Sequence, residues 1–261
     1  FQRELPASCL CWPKSRPDYC EAEAVKRVLA LSRAAEVPAY IVHLSTKAAL
    51  DEVILARRAG QKVYVESCPQ YLTLTDKCYE KENGLDYVMA PPLRGRGDCN
   101  RLWRALAQGD IDTVGTDHCS FSRADKTRLG AENVFLSPGG IPGIETRMEL
   151  LFSEGVMKNR LSLERFVAVT ATNPAAILGL DGKGRIEEGA DADLILIDPA
   201  KSKRLSVDTL HQQVDYTPYE GITVTGCVTD VWLRGRHLIR DGALAESVPR
   251  GKFVKRAPAR G

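Results

Sequence analysis

Residues 39–44 read AYIVHL, an apolar run of strand length that closes on a histidine and a leucine. Such a run is typical of a strand buried on both faces of a parallel sheet. Residues 21–35 precede it with apolar side chains at the spacing of one helical face, and residues 47–58 follow it with a second helical pattern that stops at Gly60. Residues 62–66 are the next strand-like segment. This order predicts a βαβ unit.

The alternation continues with a helix near residues 101–108 and a strand at residues 111–116. Strands separated by helices predict a parallel sheet with right-handed crossovers. Further helices are expected at residues 145–154 and 163–171. A short helix is expected next, capped by Asn173 with a proline in its first turn.

Beyond about residue 180 the pattern changes to that of antiparallel strands. Residues 184–186, 192–197 and 228–239 are strand-like, and the last of these segments contains a hairpin turn around Gly235. We therefore predict an α/β part over residues 1–180, a β module over residues 181–250 and a flexible tail over residues 251–261.

The composition describes an ordinary globular protein. Of its 261 residues, 44% are hydrophobic and 27% are charged, which is enough apolar material for a sizeable core. The formal net charge of +2 predicts no nucleic-acid partner and no membrane partner, because both need an uncompensated positive surface. The apolar runs are far shorter than the roughly 20 residues of a membrane span. Eight cysteines would suggest disulfides in a short secreted chain, but this chain is long and its first residues lack a secretory pattern, so we expect free thiols in a reducing compartment and a cytoplasmic protein.

Two polar side chains lie at or just beyond predicted strands. His43 ends the first strand, and Asp117 follows the strand at residues 111–116. Each has an ordinary explanation, since a lone histidine in an apolar strand is usually a hydrogen-bonded core residue and an aspartate often caps a turn. Together, an imidazole and a carboxylate at strand ends are the ligand types of a hydrolytic zinc site. The carboxylate can also act as a general base.

The other candidates are weaker. His118 and Cys119 adjoin Asp117, and Cys119 is interpreted as a packing residue because nothing in the sequence indicates a lowered thiol pKa. His211 and His237 are interpreted as structural or surface residues. The glycine-rich segment that begins at Gly139 lacks the Lys-Ser/Thr pair of a phosphate-binding loop, so we expect a flexible loop that faces the substrate.

Seven motifs in one order resemble those of the hydantoinase and dihydropyrimidinase branch of the cyclic amidohydrolases. They are VHLS at residues 42–45, ESCPQYL at 66–72, APPLR at 90–94, GTDHC at 115–119, GIPGIE at 140–145, TNPA at 172–175 and DYTPYEG at 215–221. Single motifs are weak signals, but seven in order are specific.

The resemblance implies a (β/α)8 TIM barrel with two zinc ions bridged by a carboxylated lysine, plus a small β-sandwich. It implies hydrolytic opening of a small cyclic amide or ureide, the ring of a hydantoin or dihydropyrimidine. By motif position, His43 matches a zinc ligand, and Asp117 matches the aspartate that binds the other zinc and moves the proton to the leaving nitrogen. Ala90 and Gly139 occupy positions where Ser and Asn are usual and where main-chain groups bind the substrate.

The same resemblance marks what has no counterpart here, namely the His-x-His pair of the first barrel strand, the bridging lysine of the fourth and the histidine of the fifth. We therefore interpret the chain as a C-terminal piece of such an enzyme, covering about the last three barrel strands. As given, it is expected to bind zinc weakly and to turn over little substrate. The intact protein is expected to form a homotetramer.

Two alternatives stay open. One is a sibling activity, that of an allantoinase or a dihydroorotase, although the motifs at residues 66–72 and 215–221 favour the hydantoinase branch. The other is a non-catalytic dihydropyrimidinase-like scaffold protein that keeps the fold without the metal site. Retention of both His43 and Asp117 argues against the scaffold.

Overall fold

The computed structural model describes residues 8–245 and 251–257 of an α/β protein with one parallel and one antiparallel sheet. The chain divides into two compact units, Phe1–Arg147 with Leu205–Ile222 and Met148–Arg204 with Thr223–Gly261. The domain boundaries drawn from the sequence, at residues 180 and 250, stay predictions. No helix in the described part of the chain combines the length and the apolar character that crossing a membrane requires.

The first unit is built on a parallel sheet. Its strands β1 (Ala39–Ile41), β2 (Val63–Ser67) and β3 (Thr113–Val114) lie side by side in that order. Ile41 pairs with Val65, and Ser67 pairs with Val114, so β1 and β3 flank β2 in parallel register. The predicted parallel sheet is confirmed, although β3 is shorter than the segment at residues 111–116.

Helices alternate with these strands along the chain. They are α1 (Cys11–Lys14), α2 (Asp18–Ala34), α3 (Lys47–Arg58), α4 (Pro69–Thr73), α5 (Arg96–Gln108) and α6 (Arg123–Gly130), with 3₁₀ turns at Asp76–Glu80, Gly84–Tyr87, Val134–Leu136 and Val207–Thr209. The Thr46 hydroxyl caps α3 by accepting from Ala49 N, and Gly109 ends α5 with a left-handed φ of 95°. Leu50, Val65 and Leu106 are fully buried in the core of this unit.

The second unit pairs short helices with an antiparallel sheet. Its helical segments are α7 (Arg147–Leu151, which begins at the last residue of the first unit), a π-helix at Phe152–Val156, α8 (Leu163–Val167), a π-helix at Ala168–Thr172 and α9 (Asn173–Ile177). Its strands are β4 (Leu194–Arg204), β5 (Thr223–Leu233), β6 (Arg236–Arg240) and β7 (Ala243–Leu244). They pair in sequence order as an antiparallel sheet. The expected hairpin is confirmed, and its turn residues Arg234 and Gly235 both have positive φ.

Two local expectations were wrong. Residues 184–186 form no strand, because Gly184 has a φ of 78° and breaks the extended backbone. Asn173 does not cap a new helix, because its own backbone is helical, with φ −65° and ψ −47°, and helical structure runs from α8 through the π-helix into α9. A proline in the first turn of α9 is confirmed.

Candidate active site

The carboxyl ends of the three parallel strands meet at one edge of the sheet. Main-chain bonds continue the pairing just past the strands, since Leu44 N donates to Glu66 O at 2.8 Å and Gly115 N donates to Ser67 O at 3.0 Å. His43 lies two residues after β1, and Asp117 lies three residues after β3. Both therefore belong to the edge where parallel α/β folds place their ligands.

His43 has a strained backbone. Its φ of 41° lies in the left-handed region, which residues other than glycine adopt at a cost of about 1 kcal/mol or more. The next two residues, Leu44 and Ser45, are buried and hold the chain directly after the strained residue. Within the described ranges the half-buried imidazole of His43 makes no hydrogen bond and no ion pair. It is thus available to a ligand.

A buried polar network fixes the segment that follows His43. The Glu21 carboxylate accepts from Ser45 N at 2.7 Å and from the Ser45 hydroxyl. Arg94 pairs with Glu21 at 3.3 Å and donates from Nε to Ser45 Oγ at 3.2 Å. The side chains of Arg94 and Glu21 are only 8% and 11% exposed, so water does not weaken the pair. Sequence reasoning missed this role, although Arg94 closes the motif at residues 90–94.

Asp117 also has a left-handed backbone, with φ 50°. Its carboxylate is exposed and forms no hydrogen bond or ion pair with any residue that the structure describes, so it does not cap a turn. The neighbouring main chain is held instead, because Gln70 Nε2 donates to Thr116 O at 3.2 Å and His118 N donates to Thr116 Oγ1 at 3.3 Å. Gln70 lies in α4, directly after β2, and so ties the ends of β2 and β3 together.

The glycine-rich loop lies beside Asp117. Cys119 N donates to Ile141 O at 3.1 Å, and His118 bridges to Ile141 in parallel. The His118 ring anchors the loop, since its Nδ1 accepts from Gly143 N at 3.1 Å and from Ile144 N at 3.3 Å. The Nδ1 atom of His118 is therefore used to hold the loop, which agrees with the interpretation of His118 as a weaker candidate for a site residue.

The segments around Ala90 and Gly139 are adjacent. Gly140 N donates to Val88 O at 3.0 Å, which joins the two segments directly. Met89 O accepts from Trp12 Nε1 at 2.6 Å, and the carbonyl that follows Ala90 accepts from Tyr71 Oη at 2.8 Å. Ala90 and Gly139 are both exposed, and their own main-chain N–H and C=O groups make no hydrogen bond among residues 8–245 and 251–257. Their amides are free for an external partner.

Buried groups line the interior below these ends. Burial raises the pKa of the Cys68 thiol well above its usual value, and the carboxylates of Glu66 and Asp117 raise it further. Cys68 is therefore a neutral thiol rather than a nucleophile. Burial also raises the pKa of Tyr71 and of Tyr219, so both keep their phenolic protons. Tyr219 Oη donates to Gln70 Oε1 at 3.4 Å, which connects the motif at residues 215–221 to the end of β2.

Glu66 lies in β2, and its carboxylate accepts a hydrogen bond from Tyr40. Tyr40 Oη donates to Glu66 Oε2 at 2.9 Å and lies 2.7 Å from Thr113 Oγ1. Gly115 leaves room for the carboxylate, because a Cβ at that position would lie 2.6 Å from Glu66 Cδ. Close packing against Glu66 therefore explains why glycine stands at this position of the GTDHC motif.

His43 and Asp117 supply donor types that suit zinc, one imidazole nitrogen and carboxylate oxygens. A zinc site needs three or four protein ligands, and the described residues contain no group of three or more His, Cys, Asp or Glu side chains placed to hold a metal ion. The residues described here fit part of a metal site and do not complete one.

The chain is similar to known proteins in sequence and in fold. Residues 18–238 match the amidohydrolase family. The chain is 43% identical over 246 residues to a D-phenylhydantoinase of Escherichia coli O1:K1 / APEC, which covers 94% of this chain and 53% of the relative. It thus spans about half the length of the curated relatives it matches.

Solved structures give the same result. The dihydropyrimidinase of Brevibacillus agri NCHU1002 is 41% identical with a TM-score of 0.89, covering 91% of this chain and 52% of that one. The D-hydantoinase (dihydropyrimidinase) of a Thermus species is 38% identical with a TM-score of 0.95, covering 99% and 58%.

Proposed function

Because this chain belongs to the amidohydrolase family, we propose that it serves the metal-dependent opening of a cyclic amide ring, that of a hydantoin or a dihydropyrimidine. One observation carries the proposal. His43 and Asp117 follow two strands that flank the same central strand, both have left-handed backbones, and neither side chain is hydrogen-bonded within the described residues. Strain of this kind concentrates at functional sites.

The residues divide the work in this proposal. His43 and Asp117 are metal ligands, and Asp117 also carries the proton toward the leaving nitrogen. The free main-chain groups of Ala90 and Gly139 bind the ring amide. Hydantoinases of this family are generally metal-dependent. We propose zinc as the metal, which when bound polarises the ring carbonyl.

The same proposal extends to the architecture. The parallel sheet corresponds to the last strands of a (β/α)8 barrel, and the antiparallel sheet corresponds to a β-sandwich module. A cytoplasmic homotetramer is part of the proposal. The similarity to hydantoinase and dihydropyrimidinase structures supports the proposed barrel and sandwich architecture. That similarity also favours this function over the scaffold, allantoinase and dihydroorotase alternatives.

Zinc titration of the chain tests the ligand assignment. Zn²⁺ is added to the purified protein in competition with a chromophoric chelator, and the dissociation constant is compared among His43→Ala, Asp117→Ala and the unchanged chain. Each substitution is expected to weaken binding by at least about tenfold, since even groups that only orient a ligand contribute 10- to 100-fold.

His237→Ala is the matched control, because His237 is paired with Asp230 at 2.7 Å. Its zinc affinity is expected to equal that of the unchanged chain. If His43→Ala and Asp117→Ala bind zinc as tightly as the unchanged chain, or if His237→Ala weakens binding as much as they do, the metal assignment is wrong.

A further inference from the structure

A completely buried lysine lies close to the candidate substrate-binding segments. Lys126 belongs to α6, and its relative exposure is 0%. Its Nζ donates to Val88 O at 2.8 Å, to Pro138 O at 3.1 Å and to Leu85 O at 3.3 Å. An ammonium has three N–H donors, so these three carbonyls use all of them.

Two of these carbonyls flank the groups proposed to bind substrate. Val88 stands two residues before Ala90, and Pro138 stands one residue before Gly139. A main-chain hydrogen bond from Gly140 N to Val88 O, 3.0 Å long, also joins these segments. A single ammonium therefore reaches both segments at once and sets their separation.

A packing role alone does not account for a lysine here. Lys126 forms no ion pair with the residues that the structure describes, and a buried ammonium is costly to desolvate. An apolar side chain of similar length would fill the same space without that cost. The feature that only the amine provides is the link among main-chain carbonyls.

We propose that Lys126 is a positioning residue, which clamps the Val88 and Pro138 carbonyls so that the main-chain groups of Ala90 and Gly139 face one ring amide together. This rests on the proposed function, since it assigns a role within the same site. Lys126 itself touches no substrate in this proposal. It acts through the two segments that it joins.

Hydantoin binding by the isotopically labelled chain tests the clamp. Hydantoin is titrated while the amide signals of Ala90 and Gly139 are followed by NMR, and the dissociation constant is compared with that of Lys126→Met. The substitution keeps the length of the side chain and removes its donors. A loss of about tenfold in affinity is expected, the equivalent of one hydrogen bond. The amide of Gly140 is expected to exchange with solvent about tenfold faster, because the segment it ties to Val88 loosens.

Trp103→Phe separates positioning from general destabilisation. Trp103 Nε1 donates to Leu72 O at 2.8 Å inside the same unit, so this substitution also removes a buried donor from a main-chain carbonyl. Its thermal midpoint is expected to fall, with hydantoin affinity unchanged within about twofold. Lys126→Gln, which keeps two N–H donors, is expected to recover part of the affinity and replaces the Met variant should that variant not fold.

Each result of these measurements either supports or overturns the role proposed for Lys126. If Lys126→Met binds hydantoin as the unchanged chain does, or loses affinity only as much as Trp103→Phe, the clamp is wrong. If the unchanged chain does not bind hydantoin at all, the proposed function fails. The clamp is then tested by the rate at which the Gly140 amide exchanges with solvent. Faster exchange in Lys126→Met supports it, and unchanged exchange overturns it.

Discussion

His43 and His237 show how differently the two sheets treat the same side chain. His43 lies just beyond a parallel strand with a left-handed backbone and without a hydrogen bond to its ring among the described residues. His237 lies within an antiparallel strand, where its Nε2 is 2.7 Å from Asp230 Oδ1, its Nδ1 accepts from Arg240 Nε at 3.2 Å, and its ring stacks on Trp232.

The difference follows from where each residue stands in its strand. A polar side chain within an antiparallel strand has cross-strand neighbours that satisfy it. A polar side chain past the end of a parallel strand leaves the ladder, so its partners come from loops or from a ligand. The side chain of His43 is therefore left free to bind a ligand, whereas the side chain of His237 is hydrogen-bonded and contributes to stability. Three measurements test this difference.

The largest expected effect is the loss of the buried ion pair beside His43. Arg94→Met leaves the buried Glu21 carboxylate without its cation, so the free energy of unfolding is expected to fall by about 3–5 kcal/mol. The matched pair in the second unit is Lys158–Glu154, where Lys158 is 52% exposed. Lys158→Met is expected to change stability by no more than about 0.5 kcal/mol. Urea unfolding measures both, and equal losses would contradict the distinction.

A second effect comes from the pH dependence of stability. Burial lowers the pKa of Lys126 from 10.5 to about 8, against the opposing electrostatic influence of Asp86, Cys119 and Cys9. Between these two pKa values the unfolded chain holds a proton that the folded chain has released. Stability contributed by Lys126 therefore rises with pH across this window, by at most about 1.4 kcal/mol per pH unit.

The measurement is the difference in unfolding free energy between the unchanged chain and Lys126→Met at pH 7, 8 and 9. Taking this difference removes the contributions of the cysteines and tyrosines that titrate in the same range. The free energy of unfolding of the unchanged chain minus that of Lys126→Met is expected to increase with pH. If it does not increase, the pKa of Lys126 is not lowered in the folded chain.

The smallest effect compares the two histidines directly. His43→Gly is expected to raise the free energy of unfolding by about 0.5–1 kcal/mol, because glycine adopts a φ of 41° without steric strain. His237→Ala is expected to lower it by about 1 kcal/mol, because it removes the bond to Asp230 and the stacking on Trp232. Thermal unfolding measures both changes. Destabilisation by His43→Gly would indicate that the imidazole has a structural role.

The parallel sheet, the antiparallel hairpin and the position of His43 and Asp117 at strand ends were predictable from the amino-acid sequence alone. Hydrophobic periodicity and turn residues are local signals, and they were sufficient for these features. The same signals misplaced residues 184–186, because the left-handed backbone of one glycine outweighed strand-like side chains.

The groups that hold the candidate site in place come together only in the folded chain. Glu21 reaches Arg94 across 73 residues of chain, and Lys126 reaches Val88 across 38. No local periodicity encodes such a pair, since Glu21, Arg94 and Lys126 are individually ordinary charged residues and Val88 contributes only its main-chain carbonyl. The left-handed φ values at His43 and Asp117 likewise depend on neighbours, Leu44 and Thr116, whose hydrogen bonds to distant residues hold the chain in a conformation that neither residue prefers.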